Sequence, residues 1–213
     1  GVFSPATETV ALSRQGNERQ NRIASNQTNV TGRVSFARLR HVVTTGAEYT
    51  YEDQFAPGIT GVGTRAATDI YSPNTLDTVS GYAPVRSGAL SKGWTNTVAL
   101  YAFDTTNIGK RFQLNGGLRW ERYGANFRSI AATGASTADE RAEDGLLSGK
   151  AGALFRITES VNVYFSYGTS VTPPGTANFT LSAQANNQNN PNVEPQRSRN
   201  YEAGGKWEVF KRR

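Results

Sequence analysis

Cysteine and methionine are absent from the 213 residues, and histidine occurs once, as His41. Without cysteine there is neither a disulfide framework nor a thiolate metal site, a composition that suits passage through an oxidising compartment. A lone histidine at a predicted turn, with no His or Cys companions, cannot build a metal centre of the usual ligand set. No run of about 18 apolar residues occurs, which excludes a membrane-spanning helix. Catalysis has no carrier either. Gly61-Val62-Gly63 sits in a breaker-rich stretch with no helix pattern after it, so it is no dinucleotide fingerprint. Glu140 and Glu143 fall in a loop-like segment unsuited to acid/base work. The expectation is a protein that is not an enzyme and binds no metal or cofactor through its own side chains. The net charge of +6 comes from Lys and Arg scattered along the chain. With no recognition helix and no aromatic RNA-binding signature, nucleic acid is not the expected partner.

Hydrophobic residues make up only 37% of the chain, enough for strands that are apolar at every second position. The clearest such stretch starts at Asn200: Tyr201, Ala203, Gly205, Trp207 and Val209 share one face, and Asn200, Glu202, Gly204, Lys206 and Glu208 the other. A face with two glutamates and a lysine cannot enter an apolar core unpaired. It must meet water or a polar partner, while the aromatic face suits lipid.

The same pattern recurs along the chain. Val30, Val34 and Phe36 alternate with Asn29, Thr31, Arg33 and Ser35 within 26–37, which a turn at 38–40 joins to a strand over 41–53. Two-faced strands also read over 111–126, 144–156 and 161–168, the first with Phe112, Leu114, Leu118 and Trp120 opposed to Gln113, Asn115, Arg119 and Glu121. Tyr123 and Phe127 fall where membrane-interface aromatics are expected. Residues 94–106 also form a strand, but 98–103 are apolar without alternation and leave its outward face open. The connections alternate in length. Short turns are expected after Ala37, Thr106 and Ile157, and long loops over 54–92, 128–143 and 171–197; residues 1–25 read as a further loop with a strand end near Thr9–Leu12. A membrane barrel segregates loop length by side in this way, and a soluble sandwich has no reason to.

Four segments, Gln113–Glu121, Leu147–Gly152, Val163–Gly168 and Val193-Glu194-Pro195 through Trp207, resemble in this combination and order the TonB-dependent siderophore receptors of the outer membrane, above all the ferric-catecholate type. The likeness runs from about Thr28 to the end. It implies an all-β, antiparallel up-and-down transmembrane β-barrel of 22 strands, plugged by an N-terminal domain and driven by a TonB-type inner-membrane coupling protein. With about seven strands, residues 1–213 are expected to be a partial barrel domain lacking the plug and the closing strand, ending in Lys211-Arg212-Arg213. A passive porin or a small structural or adhesive outer-membrane barrel is the alternative, and a soluble β-sandwich module stands further behind.

The implied substrate is a ferric siderophore, with iron carried as chelate. A tris-catecholate is anionic and aromatic, so its receptor needs cations and aromatic faces on the outer loops. The loops offer Arg65, Tyr71, Tyr82, Arg86 and Lys92, then Arg128 and Arg141, then Phe179 and Arg197. The inward charges Arg33, Glu48, Glu52, Arg119, Glu121, Lys150, Glu202 and Lys206 are expected to face the plug. Sequons at Asn26, Asn29 and Asn178 are expected by chance in a chain this rich in Asn and Thr.

Overall fold

The computed structural model describes residues 2–176 and 179–209. The terminal Lys211-Arg212-Arg213 and Asn178 of the third sequon lie outside them. The strands are β1 (Phe3–Ser4), β2 (Thr9–Val10), β3 (Gln20–Phe36), β4 (Leu39–Thr64), β5 (Thr68–Asp69), β6 (Ser80–Ile108), β7 (Phe112–Ile130), β8 (Ser136–Arg156), β9 (Val161–Thr172) and β10 (Gln196–Trp207). Seven form one sheet in the order β10-β9-β8-β7-β6-β4-β3, and β1, β2 and β5 form a small second sheet. Adjacent strands of the large sheet follow one another in the chain, as in an up-and-down barrel wall.

The chain divides into two compact units. One comprises Gly1–Arg22, Gln54–Gly93 and Phe127–Asp139; the other comprises Ile23–Asp53, Trp94–Asn126 and Glu140–Arg213.

In the second unit the faces follow the alternation. Along β4, Val43, Thr45, Ala47 and Tyr49 are exposed while Thr44, Gly46, Glu48 and Thr50 are half-buried. The apolar face continues across Phe112 and Phe155, whose rings lie 4.6 Å apart, and Tyr167 and Tyr201, 4.9 Å apart on paired strands. On β7 this face runs from Phe112 to Trp120, roughly 27 Å along the strand and about 20 Å in height once tilted, close to the apolar band of an outer-membrane barrel. The ambiguous run in β6 is resolved. Val98 and Leu100 are outward, while Ala99 and Tyr101 are 0% and 8% exposed. Its inner face tolerates aromatics because Tyr101 reaches a polar partner and Phe103 lies 4.7 Å beneath Lys150 Nζ.

Several expected loops are strands. Residues 54–64 extend β4 and 80–92 extend β6, leaving the connection 65–79, in which β5 lies. Four glycines in these extensions, Gly61, Gly63, Gly81 and Gly88, have φ between 66° and 87°, so the ladder continues through residues that look like breakers. The expected loop at 128–143 is a hairpin with a tight turn, Ala131 N donating to Ala135 O at 2.8 Å. Residues 20–25, expected as loop, begin β3, and β10 starts at Gln196 rather than at Asn200, which takes Arg197 out of the expected loop. Of the expected third loop, the described residues between β9 and β10 hold no strand. The difference in length between the two sides thus resides largely in strands: β6 has 29 residues, whereas a membrane crossing needs about ten. Two further expectations fail. Tyr123 and Phe127 are 4% and 8% exposed, because they share the parity of Arg119 and Glu121 and point inward rather than to a lipid interface. His41 is not in a turn but near the start of β4, with Nδ1 2.7 Å from Asp104 Oδ2 and 3.0 Å from Thr106 Oγ1.

Candidate functional site: the polar face and the outer extensions

The inner face of the second unit is organised by Arg119. Its guanidinium donates to both carboxylate oxygens of Glu48, at 3.1 and 3.3 Å, and through Nε to Glu121 at 3.0 Å. All three side chains are between 19% and 26% exposed, so the charges are partly desolvated and mutually satisfied. The guanidinium lies 6.0 Å from the Tyr101 ring centroid, and Gln27 Nε2 donates to Tyr101 Oη at 2.8 Å. Gly46 makes this possible: a Cβ there would lie 2.5 Å from Tyr101 Oη. Tyr101, Gln27 and Gly46 were not legible as site residues, since their roles depend on partners 55 to 74 residues away in the chain.

Beside this cluster Glu52, Glu121, Thr95, Thr97, Tyr123 and Thr176 line a recess of about 270 Å³. Thr95 Oγ1 donates to Glu52 at 3.5 Å, and Tyr123 Oη donates to Pro174 O at 3.1 Å. The recess is acidic and rich in hydroxyls, hence matched to cationic groups and not to an anionic chelate. Of the other inward charges, Glu202 accepts from Tyr164 Oη at 2.7 Å and Lys150 covers Phe103. Arg33 and Lys206 lie on the two edge strands, β3 and β10.

The outer candidates fall differently from their expected loop positions. Arg65 and Tyr71 lie in the 65–79 connection and Phe179 in the 173–195 connection, whereas Tyr82, Arg86 and Lys92 are on β6, Arg128 on β7, Arg141 on β8 and Arg197 on β10, opposite Val171. The strands run further than their hydrophobic pattern shows, because ladder hydrogen bonds do not require alternation. Within the first unit Arg86 pairs with Glu18, Nε to Oε2 at 3.0 Å, and stands 5.8 Å from the Phe55 ring centroid. Arg14 stands 5.1 Å from the Tyr82 ring centroid. Arg86 holds the exposed Glu18 carboxyl below its ordinary value through that hydrogen bond. Arg65 donates to Asn74 O at 3.2 Å, and its buried Nε has no partner among the described residues. Tyr71 is 77% exposed. In the second unit Arg141 Nε donates to Asn126 at 2.9 Å, and Phe179 has φ 51°.

A sheet with one apolar face about a membrane thick and an opposite face carrying a satisfied charge network is the wall of a transmembrane β-barrel. Comparison with known proteins gives the family. The chain belongs to the TonB-dependent receptor-like β-barrel family, whose model matches residues 3–212. Barrels of this family are receptors of the outer membrane, and this one is placed there.

Among curated proteins, the catecholate siderophore receptor Fiu of Escherichia coli O157:H7 is 38% identical over 213 residues, covering 91% of this chain and 28% of its own length. A probable TonB-dependent siderophore receptor, PiuA of Acinetobacter baumannii, is 25% identical over 203 residues, covering 87% and 27%. The closed-form crystal structure of the ferric-catecholate import receptor Fiu from Escherichia coli K12 matches with a TM-score of 0.85 and 32% identity, over 98% of this chain and 33% of that one. The chain thus spans about a third or less of the relatives it matches.

Proposed function

We propose that this chain forms part of the wall and outer surface of a receptor that takes a ferric siderophore, of the catecholate type, across the outer membrane. In this reading its seven long strands belong to a 22-stranded barrel with a plug domain, and a TonB-type coupling protein works the plug. No covalent step is involved, and iron enters as chelate. The observation that carries the reading is the pairing of cations with aromatic faces in the first unit, Arg86 against Phe55 and Arg14 against Tyr82. An anionic, aromatic chelate needs such groups, and Arg65, Tyr71 and Lys92 belong to the same unit.

The inner face plays a different part. Glu52 and Glu121 around the acidic recess would receive basic or hydrogen-bonding groups of the plug, and the Glu48–Arg119–Glu121 network would hold the wall's own charges in place. Contacts of this kind break at modest cost when a wet lumen can rehydrate them. The family match disfavours a passive porin, which has no coupling partner.

Uptake of radioiron as a ferric catecholate, in cells carrying the full-length receptor, tests the reading. Replacing Arg65, Arg86 and Lys92 together with alanine should raise the half-saturating concentration at least tenfold while assembled receptor levels hold. Unchanged uptake would reject the first unit as the binding surface, and uptake that persists without the coupling protein would reject energised transport.

A further inference from the structure

The short-turn end of the second unit carries a row of cations that neither chelate binding nor plug contact uses. Arg38 lies in the β3–β4 turn, Lys110 and Arg111 in the β6–β7 turn, Arg40 is the second residue of β4, and Arg156 closes β8. All but Arg156, which is half-buried, are exposed. The turns are tied together. Gly109 N donates to Arg38 O at 3.0 Å, Arg156 N to Arg111 O at 2.8 Å, and Arg156 Nη1 to Lys110 O at 3.5 Å. Successive turns are two strand spacings apart, about 10 Å, so the cations form a fixed ladder and not a mobile tail.

The anionic groups nearby are Asp104, turned onto His41 and Thr106, Glu159 in the β8–β9 turn, and Glu208, whose N–H donates to Ser160 O at 2.9 Å. Positive charge therefore prevails over the β3–β8 part of this rim. The outward aromatics Phe36, Phe112 and Phe155 sit at the same strand ends, immediately beside the cations. A surface with lipid-facing aromatics on one side and ordered cations on the other lies at the height of lipid phosphates.

We propose that this rim binds the anionic headgroups of phospholipids in the membrane leaflet on the short-turn side. The phosphates are held between Arg38 and the Lys110–Arg111 pair, with Arg156 fixing the geometry of the middle turn. The inference rests on the membrane-spanning reading of the sheet and not on the identity of the transported chelate.

The test uses the full-length receptor in mixed phosphatidylcholine and phosphatidylglycerol nanodiscs, with spin-labelled lipids reporting the relative association of the two classes. The wild type should prefer phosphatidylglycerol, and the preference should fall as salt rises. The Arg38→Gln/Lys110→Gln/Arg111→Gln variant should lose it, by up to about fivefold per cation removed. Glu159→Gln should strengthen it. Arg38→Lys/Arg111→Lys, which keeps the charge, should retain it and so separates charge from assembly. No preference in the wild type, or an undiminished preference in the correctly assembled triple variant, would overturn the proposal. So would a preference lost instead on Arg128→Gln, at the other end of β7.

Discussion

Replacing Arg119 by methionine should destabilise the assembled receptor, and removing Glu48 as well should restore most of the loss. The single change leaves Glu48 and Glu121 facing each other across the space of the missing guanidinium, with three charge-assisted hydrogen bonds of 3.0 to 3.3 Å gone. Breaking a fully buried ion pair costs about 3–5 kcal/mol. Arg119 is 25% exposed on the polar face of the sheet, so the expected cost lies lower, about 2–3 kcal/mol. Both carboxylates lie within 3.3 Å of one guanidinium, and two like charges held about 6 Å apart, a separation taken for illustration, repel by about 2–3 kcal/mol at an effective dielectric constant near 20, of the same size as the loss. The repulsion is therefore the larger share, and Arg119→Met/Glu48→Gln should recover more than half of it. Urea-induced unfolding of the reconstituted receptor, followed by tryptophan fluorescence, reads all three states. A cost for Arg119→Met below about 0.5 kcal/mol, or a double variant no more stable than the single one, would refute the reasoning.

Gly46→Val should be worse than its exposed neighbours imply, by about 2–4 kcal/mol, because its Cβ would meet both Tyr101 Oη and the Thr28 carbonyl, at 2.5 and 2.6 Å. Heat-modified migration of the barrel in gels checks it, and Tyr101→Phe should not rescue it. Leu118→Arg, on the apolar face, should cost about 2–4 kcal/mol and reduce the assembled fraction, whereas a lumen-facing arginine at Asn115 should not. The Glu18–Arg86 pair gives a pH dependence. Glu18 has a lowered folded-state pKa, so the pair's contribution is present above the ordinary value of 4.5 and is lost as pH falls through the lowered one. Hydrogen-exchange protection at Glu18 and its neighbours, taken against the intrinsic rate at each pH, should fall on acidification below that range, and Glu18→Gln should abolish the change.

Residue alternation alone is enough to assign the two faces of β4, β7, β8, β9 and β10. Strand periodicity is local: Phe112 to Trp120 or Val163 to Tyr167 needs only the next residue to declare which side it is on. The same pattern marks seven long strands and the short turns after Ala37, Thr106 and Ile157, but not the expected long loops, since 54–64, 80–92 and most of 128–143 are strand. Features that depend on a partner strand emerge only in the folded sheet. Glycine-rich 54–64 and 80–92 are strands because each supplies the other's hydrogen bonds, and neither alternates strongly enough to show it alone. The parity of the apolar run at 98–103 followed from Tyr101 finding Gln27 and the space above Gly46. Tyr123 looked like an interface aromatic until the parity of β7 turned it toward Pro174. The Glu48–Arg119–Glu121 network joins residues 71 positions apart, and only the order of strands in the sheet could bring them within 3.3 Å.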